Sequence, residues 1–114
     1  MINHIKRIIS SYFIETEYKA PHTLNLQGTV VVITGASRGV GRAIAEVLQR
    51  EGASLAVISR NRADLEKTYA DDRNVLLVTG DVSREQDVRR MITEIHAQFG
   101  HIDVLVNNAG SFVS

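Results

Sequence analysis

The run VVVI (Val30 to Ile33) leads directly into TGASRGVG (Thr34 to Gly41), and this junction constrains the fold more than any other feature of the chain. A short β-branched apolar run, then clustered glycines, then an amphipathic stretch reads as strand, tight turn and helix. Three more apolar runs follow: LAVI (Leu55 to Ile58), VLLV (Val75 to Val78) and IDVLV (Ile102 to Val106). Near-continuous apolarity, without polar alternation, means strands buried on both faces, as in a parallel sheet.

Helical patterns separate the runs. Val40, Ile44, Val47 and Leu48 share one helix face, and EGA (Glu51 to Ala53) supplies a glycine stop before the second strand. A weaker helix covers Arg62 to Tyr69. The best one starts at Ser83, where Ser83 and Gln86 have capping-box spacing. It continues through Val88, Met91, Ile92, Ile95 and Phe99 to Gly100. The order is therefore βαβαβαβ, and right-handed crossovers turn it into an α/β, doubly wound parallel sheet with helices on both faces.

At 114 residues and 44% hydrophobic, the chain has room for one compact domain. Thirteen basic residues balance thirteen acidic ones, so no global field draws it to nucleic acid or anionic lipid, and phosphate binding must be local. The absence of cysteine removes disulfides, thiolate metal sites and a thiol nucleophile. No apolar stretch reaches the roughly 18 residues of a membrane span, which points to a soluble protein. The single proline, Pro21, sets off residues 1–23 as an extension in which Ile2, Ile5, Ile9 and Tyr12 or Phe13 fall at helical spacing. Its first fourteen residues are basic, serine-containing and free of acid, which fits a mitochondrial presequence. Glu15 and Glu17 weaken that reading, and a frayed or packed extension stands beside it.

The glycine spacing has a chemical meaning at this place in the fold. A helix N-terminus presents unpaired N–H groups and the positive end of the macrodipole, which suits a phosphate. Gly35 allows a tight turn, Gly39 lets backbone approach a pyrophosphate with no Cβ in the way, and Gly41 permits close helix–strand contact. The spacing is G-x-x-x-G-x-G rather than G-x-G-x-x-G, and glycines that merely shape a turn are the alternative.

TGASRGVG, the pair Asp81–Val82 after the third strand and NNAG (Asn107 to Gly110) after the fourth together resemble the N-terminal half of a short-chain dehydrogenase/reductase. With the lead-in LQGTVVVITG, the resemblance covers Leu24 to about Phe112. Within the family, GASRGVGRAIAEVL, LAVISRN and IDVLVNNAG look closest to the 3-oxoacyl-carrier-protein reductase and carbonyl reductase branch. It implies a Rossmann-type sheet and a dinucleotide cofactor bound by Gly35, Ser37, Arg38, Gly39, Val40 and Gly41. Asp81 and Val82 would contact adenine, and Asn108, Ala109 and Gly110 would line the ribose and nicotinamide, with Asn107 tying the sheet. Strand-end turns are the alternative for both groups.

Charge argues for the choice of cofactor. An NAD-selective site places a carboxylate at the end of the second strand, on the ribose 2′-hydroxyl. Here that stretch reads Ser59, Arg60, Asn61, and Arg38 and Arg60 could bracket a 2′-phosphate with forked donors. NADP(H) is therefore expected, with NAD(H) second; ordinary solvated arginines are the alternative.

The resemblance also implies a catalytic tyrosine with a lysine four residues later, a serine and a further asparagine, all beyond NNAG. Tyr12, Tyr18 and Tyr69 are followed four on by Thr16, His22 and Arg73, so none makes Y-x-x-x-K, and Ser111 and Ser114 follow NNAG too closely. His4, His22, His96 and His101 show no metal-ligand spacing and are expected to be solvated. Residues 24–114 are thus expected to be a partial dinucleotide-binding domain, truncated before the catalytic segment and with an open edge at the fourth strand. The expected function is the cofactor half of an oxidoreductase acting on a small carbonyl or alcohol substrate. A non-catalytic dinucleotide-binding or interaction module, or an inactive truncated product, are the alternatives. A full-length form is expected to be a homo-oligomer, cytoplasmic unless the extension targets the mitochondrial matrix.

Overall fold

A computed structural model describes residues 25–69, 72 and 74–108. The amphipathic extension before Pro21 lies outside the described residues, as do Ala109 and Gly110. The elements are β1 (Val30–Thr34), α1 (Gly39–Arg50), β2 (Ser54–Ser59), α2 (Arg62–Tyr69), β3 (Val75–Thr79), α3 (Glu85–Phe99) and β4 (Val104–Asn107). The sheet is parallel, in the order β3-β2-β1-β4. The expected βαβαβαβ order and doubly wound architecture are both present.

Continuous apolarity in the strands conceals two alternating faces, because successive strand side chains point to opposite sides. Val32, Ala56, Ile58 and Val78 pack with Val88, Met91, Ile92 and Ile95 of α3. Val31, Ile33, Leu55 and Val57 pack on the other side with Ala45 of α1 and with Leu65 and Tyr69 of α2. All of β1 is buried. The edge strands β3 and β4 are only partly covered, and β4 pairs with β1 alone among the described residues. The expected fourth strand is shifted: Ile102 forms an isolated bridge, and β4 starts two residues later, at Val104.

Two local expectations are corrected. The inward line of α1 is Gly41 and Ala45, with Ile44 and Leu48 partly buried beside them, whereas Val40 is 66% and Val47 45% exposed. Small residues let the helix approach the sheet closely, and that approach sets a rotation that turns the two valines outward. The Ser83–Gln86 capping box does not form. Helix α3 starts at Glu85, after Arg84, and Arg84 makes no side-chain cap bond. The Ser83 hydroxyl instead donates to Asp81 Oδ1 at 2.6 Å, a charge-assisted bond stronger than a neutral cap. At the other end Gly100, with φ +82°, closes α3 as expected.

The N-terminal ends of β1 and β4 are tied by Asp103. Its backbone N–H donates to Val30 O, and its Oδ2 accepts the Val30 N–H at 2.8 Å. His101 Nε2 lies 2.9 Å from the same carboxylate oxygen and 3.2 Å from Gly28 O. His101, expected to be solvated, is thus a partly buried member of a strand-end cluster.

The rotation of α1 gives a direct test. Val40→Ser should change stability by less than about 0.5 kcal/mol, as exposed substitutions do. Ala45→Leu should cost about 1–3 kcal/mol through overpacking. Urea unfolding of the two variants would check this, and equal costs would contradict the assigned face.

Candidate dinucleotide site

The turn from β1 to α1 depends on its glycines for different reasons. Gly35 and Gly39 both have φ +63°, in the left-handed region that other residues rarely adopt. An added Cβ at Gly39 would meet no atom within 4 Å, so the space above it is open. At Gly41 the same atom would collide with the Gly35 carbonyl oxygen and lie 2.8 Å from Asn108 Nδ2. The tight contact of Gly41 is thus with the turn and the end of β4. Arg38, at the α1 N-cap, has extended backbone and makes no side-chain cap bond, and the first turn carries no acid. The N-terminal amides of α1 therefore keep their positive potential for an incoming anion.

Side chains distant in sequence hold this turn. Thr34 Oγ1 donates to Asn107 Oδ1 at 3.2 Å and accepts the Asn108 N–H at 2.8 Å. Asn108 Nδ2 donates to Gly35 O at 3.1 Å. From α2, the Tyr69 hydroxyl donates to Ala36 O at 2.6 Å. The Thr68 hydroxyl lies 3.4 Å from Ser37 O and 3.2 Å from Asp64 O. Burial pushes the Tyr69 hydroxyl up to about 12, with Glu46 and Asp72 adding to the rise against Arg42. The hydroxyl therefore remains a donor throughout the neutral range.

Beside the turn lies an open cleft of about 760 Å³, lined by Ser37, Arg38, Ser59, Arg60, the start of α2 and Thr79. Its size falls within the usual range for small-ligand sites. Ser59 Oγ accepts the Asn61 N–H, and Asn61 Oδ1 accepts the Ala63 N–H, which caps α2. Arg38, Arg60 and Arg62 face it against a single carboxylate, Asp64, so the wall is net positive. Arg62 is paired with Glu66 at 3.0 Å, whereas Arg38 and Arg60 make no ion pair among the described residues. Thr79 Oγ1 and Asn107 Nδ2 are buried without partners among those residues, both at carboxyl ends of strands. An open space over Gly39, uncapped amides, unpaired guanidiniums and an orphaned hydroxyl in the wall all fit a phosphorylated ligand.

Asp81 and Val82 stand after β3. Asp81 Oδ1 accepts both the N–H and the hydroxyl of Ser83, and the Asp81 N–H donates to Asp87 Oδ2. The Ser83 hydroxyl holds the Asp81 carboxyl below the usual carboxylate range, helped by the Ser83 N–H and by the fields of Arg60 and Arg84, against desolvation. The Val82 side chain is partly buried against the α3-side core. Of the expected site residues, Ser37, Arg38, Ser59 and Arg60 meet in one cleft, and Asn108 reaches the glycine turn. Sequence reasoning missed Thr34, Tyr69, Asn61 and Thr79. Only Asn61 carried a local signal, as an asparagine directly before a helix.

Replacing Ser83 by Ala removes the leading cause of the Asp81 depression, so the Asp81 carboxyl should titrate higher than in the unaltered chain. A lowered folded-state pKa contributes stability above the unfolded value and loses it as pH falls through the folded one. The stability gap between the two chains should therefore narrow on acidification. Carboxyl NMR titration with acid unfolding measures both, and an unmoved Asp81 would contradict the assignment.

Residues 29–113 match the model of the short chain dehydrogenase family. An 11-beta-hydroxysteroid dehydrogenase-like protein of Arabidopsis thaliana is 41% identical over 96 residues, covering 80% of this chain and 31% of that protein. An L-fucose dehydrogenase of Mus musculus is 36% identical, covering 73% and 30% respectively. The chain thus spans about a third of the length of the curated relatives it matches. Among solved structures, L-sorbose reductase of Gluconobacter frateurii, complexed with NADPH and L-sorbose, matches with a TM-score of 0.72. It is 35% identical, over 79% of this chain and 36% of that one. The 3-ketoacyl-(acyl-carrier-protein) reductase of Brucella melitensis, complexed with NADH, matches with a TM-score of 0.68. It is 32% identical, over 71% and 34%. With the parallel sheet, the glycine turn after β1 and the asparagines at the end of β4 already in place, these matches show that the chain belongs to the short chain dehydrogenase family.

Proposed function

We propose that residues 24–114 form the NADP(H)-binding portion of an oxidoreductase that transfers hydride between NADPH and a carbonyl or alcohol substrate. The observation that carries this reading is the cleft at the end of β2, where Ser59, Arg60 and Arg38 offer hydroxyl and guanidinium groups and the strand end bears no carboxylate. Forked guanidinium donors suit a dianionic 2′-phosphate, which a carboxylate there would repel. Family membership and neighbours solved with NADH or NADPH support a nicotinamide dinucleotide.

On this reading the amides of Gly39, Val40 and Gly41 hold the pyrophosphate at the start of α1. Ser37, Arg38, Ser59 and Arg60 take the phosphorylated ribose, and Asp81 and Val82 bound the adenine. Asn108, followed by Ala109 and Gly110, flanks the ribose and nicotinamide. When bound, the nicotinamide supplies or accepts the hydride. The chain's own residues bind and orient it. The relatives' names mention a hydroxysteroid, a sugar and a ketoacyl carrier, while each matches this chain over about a third of its own length. Substrate choice is therefore assigned to residues outside the matched portion.

Calorimetric titration with NADPH and, in parallel, NADH tests the proposal. Saturable binding that favours NADPH is expected. Arg60→Asp should weaken NADPH by about tenfold, near 1.4 kcal/mol, and NADH by clearly less. Equal losses for both cofactors would remove Arg60 from the 2′-phosphate site.

A further inference from the structure

The glycine turn is gripped by its carbonyls. Gly35 O accepts from Asn108 Nδ2, and Ala36 O accepts from the Tyr69 hydroxyl. The Thr68 hydroxyl lies within reach of Ser37 O, but its single hydrogen is shared with the closer Asp64 O. Tyr69 is thus the stronger tie from α2. There is no cis peptide among the described residues, and in a planar trans peptide the carbonyl and the following N–H point in opposite directions. Fixing the Ala36 carbonyl toward Tyr69 therefore fixes which way the Ser37 N–H points. It also fixes the course of the backbone that carries Ser37 and Arg38 into the cleft wall.

The two ends of α2 act on one site. Its first turn, Arg62 to Asp64, lines the cleft, while its last residue reaches under the opposite wall. Tyr69 is 2% exposed and packs in the cluster that contains Ala36, Ala45 and Leu65, so its hydroxyl has little freedom. We infer that Tyr69 is a positioning residue: through the Ala36 carbonyl its hydroxyl aims Ser37 and Arg38 at the phosphorylated ribose, and so contributes to discrimination between cofactors. The inference rests on the proposed reading of the cleft as the 2′-phosphate site.

Tyr69→Phe keeps the ring in the core and removes only the hydroxyl. Two readouts are needed on the 114-residue chain: ¹H–¹⁵N spectra without ligand, and calorimetric affinities for NADPH and NADH. The Ser37 and Arg38 amides should shift or broaden while those of α3 stay in place. NADPH affinity should fall by about five- to tenfold, the scale of one lost hydrogen bond, and NADH affinity by less than about half that factor. Ile95→Val, on the opposite face of the sheet, serves as a control that should lower stability and leave the cofactor ratio unchanged. Unmoved Ser37 and Arg38 amides would overturn the inference, as would an unchanged cofactor ratio in a chain that prefers NADPH. A Tyr69→Phe chain that does not fold would overturn it too, by making the hydroxyl a requirement of the whole fold. If the unaltered chain binds both cofactors equally, the 2′-phosphate reading fails separately. The positioning role is then decided by the amides alone, displacement supporting it and no displacement overturning it.

Discussion

Strand β1 is the constraint on which the rest of the structure depends. It pairs with β2 on one side and β4 on the other, and each of its residues is buried. The chain steps from β1 to β2 to β3 in one direction across the sheet, then crosses back to place β4 on the far side of β1. The crevice outside the carboxyl ends of the strands opens at such a reversal, and it is where doubly wound sheets bind ligands. The turn that leaves β1 has to escape a closed space between two strands and two helical layers. Glycines at positive φ achieve this. Thr34, the polar residue at the end of β1, is tolerated in full burial because it bonds to both Asn107 and the backbone of Asn108.

The arrangement of strands and helices was legible because it is written locally. Four β-branched apolar runs and their intervening periodic stretches each fall within one element, and strand and helix types follow from that pattern. The glycine turn was legible for the same reason, since a left-handed backbone at Gly35 and Gly39 is a property of single residues. What escaped reading depends on contacts that the pattern within one element does not specify. Val40 and Val47 fit a helical stripe, yet Gly41 and Ala45 decide which side of α1 meets the sheet. Ser83 has the spacing of a cap but is captured by Asp81. His101, beside Asp103, looks like a surface turn residue until β4 docks and brings it to Gly28.

The same division applies to the site. Arg38 and Arg60 can be picked out as a pair because they are basic residues that follow the first and second strands. Their shared cleft, however, exists only once β1 and β2 lie side by side. Tyr69 lies 33 positions from Ala36, and no spacing rule links the two. The supporting bonds come from Asn108 on one flank and α2 on the other, so the turn is held in shape before any ligand arrives. Preorganisation of this kind lowers the ordering cost of binding. The Thr79 hydroxyl and the Asn107 amide show the converse, polar groups buried without a partner among the described residues at the carboxyl ends of β3 and β4.

The most direct test of this account is to map where a dinucleotide touches the chain. Uniformly ¹⁵N-labelled protein titrated with NADPH should show its largest amide shifts across Gly35 to Gly41 and Ser59 to Asn61, with little change at His101 and Asp103 at the opposite end of the sheet. Shifts concentrated away from the β1–α1 turn, with Gly35 to Gly41 unmoved under saturating ligand, would contradict it.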